Sequence, residues 1–152
     1  MRSLHQQRVD EFMKLAGQEI PSSPIVPSEE TRRLRCKLIL EECIETINDL
    51  GFDVKIDDDF TLISSDFDTG FIDFTINKDG PDLIEIADGC ADIKVVTTGT
   101  LTACGIDDEE LQIAVDENNL AKFGPGSYRR DDGKWMKPPD HVPPNIESII
   151  KK

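Results

Sequence analysis

Three glutamates, Glu41, Glu42 and Glu45, have the types and spacing that point most clearly to chemistry in this chain. On a helix that turns about 100° per residue, Glu41 and Glu45 fall on one stripe, with Glu42 on its shoulder. Leu34 and Leu38 lie on the same stripe. Carboxylates in line with leucines indicate a helix face turned toward the protein interior rather than toward solvent.

A second set of acids follows in residues 84–92. Glu85 and Asp92 share a helical stripe with Val96, and Asp88 lies within one side-chain width of it. Either set alone is typical of a solvated helix face, but two sets on apolar helices favour a site. Packed together without cations, six carboxylates would repel each other or become protonated. Mg²⁺ prefers such oxygen ligands, so the sequence predicts a Mg²⁺ site, with Mn²⁺ as a substitute.

Helical periodicity and end signals predict the elements that position these acids. A first amphipathic helix is expected over 3–17, and core helices over about 28–50, 81–103 and 107–123. Ser28 is a good N-cap, Pro81 suits a first turn, and Asp107 with Glu110 resembles a capping box. The helix over 28–50 also has a wide apolar face, so we expect it to be buried on most sides.

Residues 52–80 lose the helical period and predict a small β-rich insert, at about 52–78. The segments 52–56 and 71–76 are rich in β-branched and aromatic residues, which favours a hairpin or meander. Residues 66–70 resemble a calcium loop, but the glycine comes one position early and no closing glutamate follows, which argues against calcium. From Pro125 we expect an extended C-terminal tail, with a short hairpin over 128–135 and a last helical turn over 146–150. The expectation is one mainly α domain over 1–152.

Polar residues near the C-terminus leave two interpretations open. Asn118 and Lys122 share a stripe of the fourth helix with Leu111 and Val115. They indicate either a pocket or an ordinary helix end, where lysine side chains often extend to solvent. Arg129 and Arg130 are most simply solvated hairpin residues, with a phosphate contact as the alternative. Trp135 fits a core anchor for the tail better than a stacking platform.

Composition excludes several classes of protein. A formal charge of −14 argues against a nucleic-acid binder, because that partner is itself a polyanion. The four cysteines form no Cys-x-x-Cys pair and the two histidines lie near opposite ends, so zinc spacing is absent. We expect the cysteines to be buried, reduced thiols. No apolar run approaches about 18 residues and no signal segment is apparent, so we expect no membrane partner and a cytoplasmic location.

The two acid motifs resemble the Glu-Glu-x-x-Glu … Glu-x-x-Asp signature of the all-α nucleoside triphosphate pyrophosphohydrolases. That superfamily groups MazG-like enzymes, dimeric dUTPases and phosphoribosyl-ATP pyrophosphohydrolases. Residues 115–123 and the Lys-Trp-x-Lys-Pro-Pro tail are similar to the MazG-like or phosphoribosyl-ATP-pyrophosphohydrolase-like members. The resemblance covers most of 28–145 and implies an all-α helical bundle of that type. The spacer between the motifs is longer than the usual family linker, because the β-rich insert fills it.

The resemblance also implies roles for individual residues. The Mg²⁺ ligands would be Glu41, Glu42, Glu45, Glu85 and Asp88, with Asp92 as a further ligand or a neighbour of the ligands. Asn118 or Asn119 would contact the base or sugar, and Lys122 a phosphate. Glu41 or Glu42 would accept a proton from the attacking water.

The implied reaction is hydrolysis of a (d)NTP to a (d)NMP and pyrophosphate by metal-activated water. Alternative substrates are phosphoribosyl-ATP and dUTP or dUDP. An alternative of another class is a non-catalytic acidic module that binds a metal or a partner. The alignment of Asn118 and Lys122 with apolar positions favours the enzyme. The resemblance further implies a homodimer or homotetramer.

Overall fold

Helices dominate the residues that a computed structural model of the chain describes, which are 1–56, 72–131 and 133–151. The helices are α1 (Leu4–Leu15), α2 (Glu29–Asp49), α3 (Leu83–Ala103), α4 (Asp108–Ala121) and α5 (Ile146–Ile150). The strands are β1 (Phe52–Ile56), β2 (Ile72–Ile76), β3 (Tyr128–Arg129) and β4 (Trp135–Met136). The predicted mainly α class is therefore confirmed. Within the described ranges, no helix has both the length and the apolar character needed to cross a membrane.

The first two helices begin and end within two residues of the predicted bounds, because local chemistry satisfies their ends. The side chain of Ser3 accepts a hydrogen bond from the Gln6 amide, and Ser28 accepts one from the Thr31 amide. Such caps satisfy backbone N–H groups that have no partner inside the helix. Gly51 follows the last turn of α2 with a φ of 90°, a left-handed conformation that glycine adopts without strain.

Strands β1 and β2 form an antiparallel pair that follows α2 directly. The register places Phe52 opposite Ile76 and Val54 opposite Phe74. The side-chain amide of Asn77 donates to the backbone oxygen of Asn48 at 2.8 Å, which ties the end of β2 to the end of α2. The two predicted strands are confirmed as an antiparallel pair, whereas their connection and the calcium-like run at 66–70 lie outside the described residues.

The chain forms two compact units. Unit 1 comprises residues 1–26 and 101–152, and unit 2 comprises residues 27–100. Unit 1 therefore contains α1, α4, α5 and the C-terminal hairpin, with the last residues of α3. Unit 2 contains α2, the β1–β2 hairpin and most of α3, and so holds both predicted acid motifs.

A buried polar network links α1 to the end of α3 within unit 1. Thr102 is fully buried, and its hydroxyl donates to Asp10 Oδ1 at 2.8 Å. Asp10 also accepts a hydrogen bond from the Arg2 guanidinium. Gln6, likewise fully buried, donates through Nε2 to the Ile106 carbonyl oxygen at 2.8 Å. Because each buried polar group has a partner, these bonds fix α1 against residues 102–106.

The start of α4 differs from the predicted capping box. Asp107 occupies the N-cap position, but its side chain makes no capping hydrogen bond. Instead, Asp107 Oδ1 accepts from Arg2 Nε at 2.9 Å. The amide of Asp108 donates to Gln6 Oε1 at 2.9 Å, so a residue of α1 takes over the capping role. Asp107 is at the predicted N-cap position, but its predicted side-chain cap is wrong, because Arg2 engages the Asp107 carboxylate.

Helix α2 is less buried than predicted. Its buried residues are Arg35 and Thr46. Leu40 is 60% exposed and Ile44 is 41% exposed. The prediction that α2 is buried on most sides is therefore wrong for the single chain, because little of its apolar face is covered.

The cysteines also depart from the prediction. All four are free thiols, but Cys36 and Cys90 are exposed and Cys43 and Cys104 are half-buried. Cys90 follows the buried Gly89 by one residue, a rotation of about 100° that turns it away from the packed face of α3. The predicted burial of the thiols is therefore wrong, and only their free state is confirmed.

Candidate active site

Helices α2 and α3 come into close contact at Thr46 and Gly89, both of which are buried. A β-carbon built on Gly89 would lie 2.5 Å from Thr46 Oγ1 and 3.2 Å from Thr46 Cβ. A larger residue at position 89 would require the Thr46 side chain to rotate or one of the two helices to shift. The hydroxyl of Thr46 donates to the backbone oxygen of Glu42 at 2.7 Å. Because residues four apart are neighbours on a helix, Glu42 lies on the face of α2 that packs against α3.

The pKa of the Glu42 carboxyl is raised above its usual value, first by burial and then by the charges of other carboxylates. In decreasing order of effect, these are Asp92, Glu45, Glu41 and Asp88. Two of them belong to α2 and two to α3, so the helix contact gathers acids from both predicted motifs around Glu42. We refer to Glu41, Glu42, Glu45, Asp88 and Asp92 as the acid cluster.

The exposure of these acids corrects the predicted orientation of α2. Glu42 is half-buried, whereas the other four members of the acid cluster are exposed. Leu34, which shares the stripe of Glu41, is itself 41% exposed. The prediction that this stripe faces the interior is wrong, because the packed face of α2 is centred on Glu42 and Thr46. Glu41 lies about 100° away from Glu42 around the helix.

Glu85 stands apart from the acid cluster. It lies in the first turn of α3 and is exposed. Its charge is not among those that raise the pKa of Glu42. The structure thus brings together five of the six predicted acids and leaves Glu85 at the edge of the group.

The chemistry of the acid cluster fits a hard divalent cation. Every side-chain atom of the cluster that could bind a metal is a carboxylate oxygen, the ligand type that Mg²⁺ and Mn²⁺ prefer. In the described part of the chain, no three His, Cys, Asp or Glu side chains already converge on a single metal position. Glutamate and aspartate side chains have several rotatable bonds, so the exposed members can reorient toward a cation. A cation would also relieve the mutual repulsion that raises the pKa of Glu42.

Two residues on the packed face of α2, Arg35 and Thr46, were missed by the sequence analysis. Thr46 and Gly89 make the helix contact, and Arg35, which is 7% exposed, lies on the same face of α2. Arg35 precedes Glu42 by seven residues, which is about two helical turns. The spacing of Arg35, Glu42 and Thr46 was the signal that could have identified this face.

The other predicted site residues belong to unit 1. Asn118 Nδ2 donates to the Val142 carbonyl oxygen at 2.7 Å, and its Oδ1 lies 3.2 Å from His141 Nε2. Lys122 Nζ donates to Asn119 Oδ1 at 2.5 Å. Asn118, Asn119 and Lys122 therefore make contacts within unit 1, and Asn118 holds the C-terminal tail. Arg129 is exposed on strand β3.

Comparison with known proteins adds one finding. The family model described as phosphoribosyl-ATP pyrophosphohydrolase (PRA-PH) matches residues 9–119. The matched range contains all of α2 and α3, most of α1 and α4, and every member of the acid cluster. No curated protein matches the chain.

Proposed function

The chain belongs to the phosphoribosyl-ATP pyrophosphohydrolase family, and from this premise we propose that it cleaves a nucleotide between its α- and β-phosphates at the acid cluster. The family is part of the MazG-like nucleoside triphosphate pyrophosphohydrolase superfamily. The chain is accordingly a pyrophosphohydrolase, a hydrolase of phosphoric anhydride bonds. Family membership argues against a non-catalytic acidic module.

The raised pKa of Glu42 is the observation that supports this location. Four carboxylates act on Glu42 from two helices, at a contact that a glycine permits. Such an arrangement lowers stability, because like charges in one place repel each other. A cost of this kind favours a functional role for the acids over a structural one. Clusters of this kind are typical of active sites, where perturbed pKa values are common.

We propose Mg²⁺, or Mn²⁺ in its place, as the cofactor. The residues that would hold it are Glu41, Glu45, Asp88 and Asp92, with Glu85 as the further ligand that the motif implies. When bound, a divalent cation offsets phosphate charge and lowers the pKa of a water molecule. Without a cation, this negative cluster would repel a triphosphate, so we expect activity to require the metal.

Glu42 is the proposed proton acceptor. A carboxylate with a raised pKa is a better base near neutral pH than an ordinary glutamate. When Glu42 takes a proton from the attacking water, its own negative charge is removed. Burial, the first cause of the raised pKa of Glu42, remains when a cation offsets the charges of Asp92 and Asp88, and it favours the protonated state. Arg35, which is buried on the same face two turns before Glu42, adds a positive charge to that face.

Phosphoribosyl-ATP is the first substrate to test, because the matching family is described by that activity. The acid motifs also support (d)NTPs, and dUTP or dUDP, as alternatives. Phosphoribosyl-ATP and the nucleoside triphosphates share a triphosphate group, so the acid cluster alone does not discriminate between them. Contacts to the base and sugar would make that choice.

A homo-oligomer, dimer or tetramer, is part of the proposal. In unit 2, Leu40 and Ile44 of α2 are exposed, and Leu83 and Ile84 of α3 are 80% and 77% exposed. Exposed apolar side chains gathered on two neighbouring helices are typical of protein–protein interfaces. A second copy of the chain would cover them.

The deciding experiment measures pyrophosphate release from phosphoribosyl-ATP and from a panel of canonical and modified (d)NTPs. Reactions contain Mg²⁺, Mn²⁺ or EDTA. We expect metal-dependent release by the native chain and none by a folded Glu42→Gln variant. An absence of release from every nucleotide, by a folded native chain, would contradict the proposal.

A further inference from the structure

The end of α4 and the C-terminal hairpin differ in charge from the rest of the chain. Residues 122–137 contain five lysines or arginines and two aspartates. The complete chain has a net charge of −14. A local excess of positive charge on so acidic a protein indicates a binding site for an anion.

Aromatic rings lie within the same segment. The ring centroids of Phe123 and Trp135 are 5.1 Å apart, with an angle of 43° between the ring planes. Phe123 is 62% exposed and Trp135 is 41% exposed. The prediction that Trp135 is a core anchor is therefore wrong, because it packs on an exposed ring at the protein surface. Large exposed aromatic rings usually contact a ligand or a partner.

Strand pairing places a cation beside these rings. Arg129 is directly opposite Trp135 in the β3–β4 register, so both side chains lie on one face of the hairpin. Arg129 is exposed and donates a long hydrogen bond from Nε to the Gly133 carbonyl oxygen at 3.4 Å. Lys137 follows Trp135 by two residues and is exposed. It makes no ion pair or hydrogen bond with any residue in the described parts of the chain.

The backbone around this surface is held in place. The Asn118 side chain bonds both His141 and Val142, which fixes the tail to α4. Pro138 is buried, and its Cγ would lie 3.7 Å from a β-carbon on Gly124. These contacts close a loop from the end of α4 through the hairpin and back to α4. The rings are thus positioned before any ligand binds, which lowers the entropic cost of binding.

We propose that Phe123, Trp135, Arg129 and Lys137 form a binding surface for a nucleoside monophosphate. The base stacks on the exposed rings, and the phosphate contacts Arg129 and Lys137. Aromatic rings bind any base through its π face, and a guanidinium matches the geometry of a phosphate. The choice of a nucleotide rests on the proposed function, whose substrate and product both contain this group. The net charge of −14 disfavours a polynucleotide, which carries many phosphates.

Trp135 provides the readout, because it is the only tryptophan in the chain. AMP is titrated into the full chain in EDTA, so that hydrolysis plays no part, and tryptophan emission is recorded. We expect saturable quenching with the same affinity in the native chain and in Glu42→Gln. Adenosine and ribose 5-phosphate, which each retain half of the ligand, should bind about tenfold more weakly than AMP.

A matched pair of variants tests the assignment of the phosphate contact. Arg129→Gln should weaken AMP binding roughly tenfold and leave adenosine binding unchanged. Arg8→Gln removes another exposed arginine, from α1, and should leave both affinities unchanged. Circular dichroism confirms that both variants are folded.

Several results would overturn the inference. These are an absence of quenching by AMP, equal affinities for Arg129→Gln and Arg8→Gln, and tighter binding of an oligothymidylate than of AMP. A change of emission with protein concentration alone would show that a second copy covers the rings. If AMP quenches while pyrophosphate release is absent, the nucleotide surface stands and the proposed hydrolysis fails.

Discussion

Gly89 and Thr46 meet so closely that a single added β-carbon would lie 2.5 Å from the Thr46 hydroxyl oxygen. Asp88 precedes Gly89, and Glu45 precedes Thr46, so the same contact sets the spacing of acids on two helices. The chemistry of the acid cluster therefore depends on a residue that has no side chain.

Gly89→Ala should destabilise the protein by about 1–3 kcal/mol, the usual cost of overpacking, and should lower pyrophosphate release. Chemical denaturation and the release assay measure the two effects. Thr46→Ala in the same chain removes the nearest atom and should restore part of the lost stability. Ala91→Ser, which adds one atom to an exposed position of α3, is the matched control and should change neither quantity. A neutral Gly89→Ala would show that the contact between Thr46 and Gly89 can adjust without cost and does not fix the spacing of the two helices.

Glu42→Gln should abolish turnover and raise the stability of the metal-free protein at neutral pH. The pKa of Glu42 in the folded chain lies above the unfolded value near 4.5. The stability that the folded chain gains from protonation of Glu42 is therefore fully present below pH 4.5. The contribution is lost as the pH rises through the folded pKa, and the ionised carboxylate then lowers stability. The difference in thermal midpoint between variant and native chain should therefore grow from pH 4 to pH 7, a range of roughly three units around the titration. A variant less stable than the native chain at pH 7 would indicate a structural role for Glu42.

Mg²⁺ should stabilise the native chain against denaturant, and EDTA should reverse the effect. At about one hundred times its dissociation constant, a ligand that binds the folded state alone contributes about 2.7 kcal/mol. We expect a much smaller gain in Asp88→Asn, which removes one proposed ligand. Glu19→Gln, an exposed change outside the acid cluster, should retain the full gain. Equal stabilisation of Asp88→Asn and the native chain would place the cation elsewhere.

Thr102→Val should destabilise unit 1, because it leaves the buried Asp10 without one of its hydrogen-bond donors. The expected loss is about 1–3 kcal/mol, the cost of a buried polar group without a partner. Thr97→Val makes the same chemical change on the same helix at an exposed position and should cost far less. If urea titrations show equal losses of stability in the two variants, the stabilising role of the buried hydrogen bonds around Asp10 is contradicted.

Asp107→Asn should reduce stability at neutral pH by less than about 1 kcal/mol, because the side chain is 47% exposed. A hydrogen bond from Arg2 is the main reason that the pKa of Asp107 is lowered from 3.8. The stabilising contribution is present above that unfolded value and is lost as the pH falls through the lower folded pKa. The two thermal midpoints should converge in acid. A constant difference at every pH would exclude the ion pair as its cause.

The sequence was sufficient for the elements whose ends are set locally. Ser28 and Gly51 bound α2 through a cap and a left-handed turn, and both can be recognised without tertiary contacts. The same holds for the β1–β2 hairpin. The cap of α4 was missed because Gln6, about one hundred residues away along the chain, provides it.

The sequence identified the acids of the site, but it placed the wrong ones on the packed face of α2. Stripe geometry assigned the inner face of α2 to Glu41 and Glu45, whereas the packed face belongs to Glu42 and Thr46. Periodicity shows which residues share a face, but only packing decides which face is covered. Trp135 was misjudged for a related reason, since hydrophobicity alone does not tell a buried ring from an exposed one.

The exposed thiols Cys36 and Cys90 lie one on each of the two helices that supply the acid cluster. After the half-buried Cys43 and Cys104 are replaced by serine, nitroxide labels can be attached at these two native positions. Dipolar spectroscopy would then measure the separation of α2 and α3 as Mg²⁺ is added in solution. The chain thus already contains the attachment points of a distance probe across its proposed metal site.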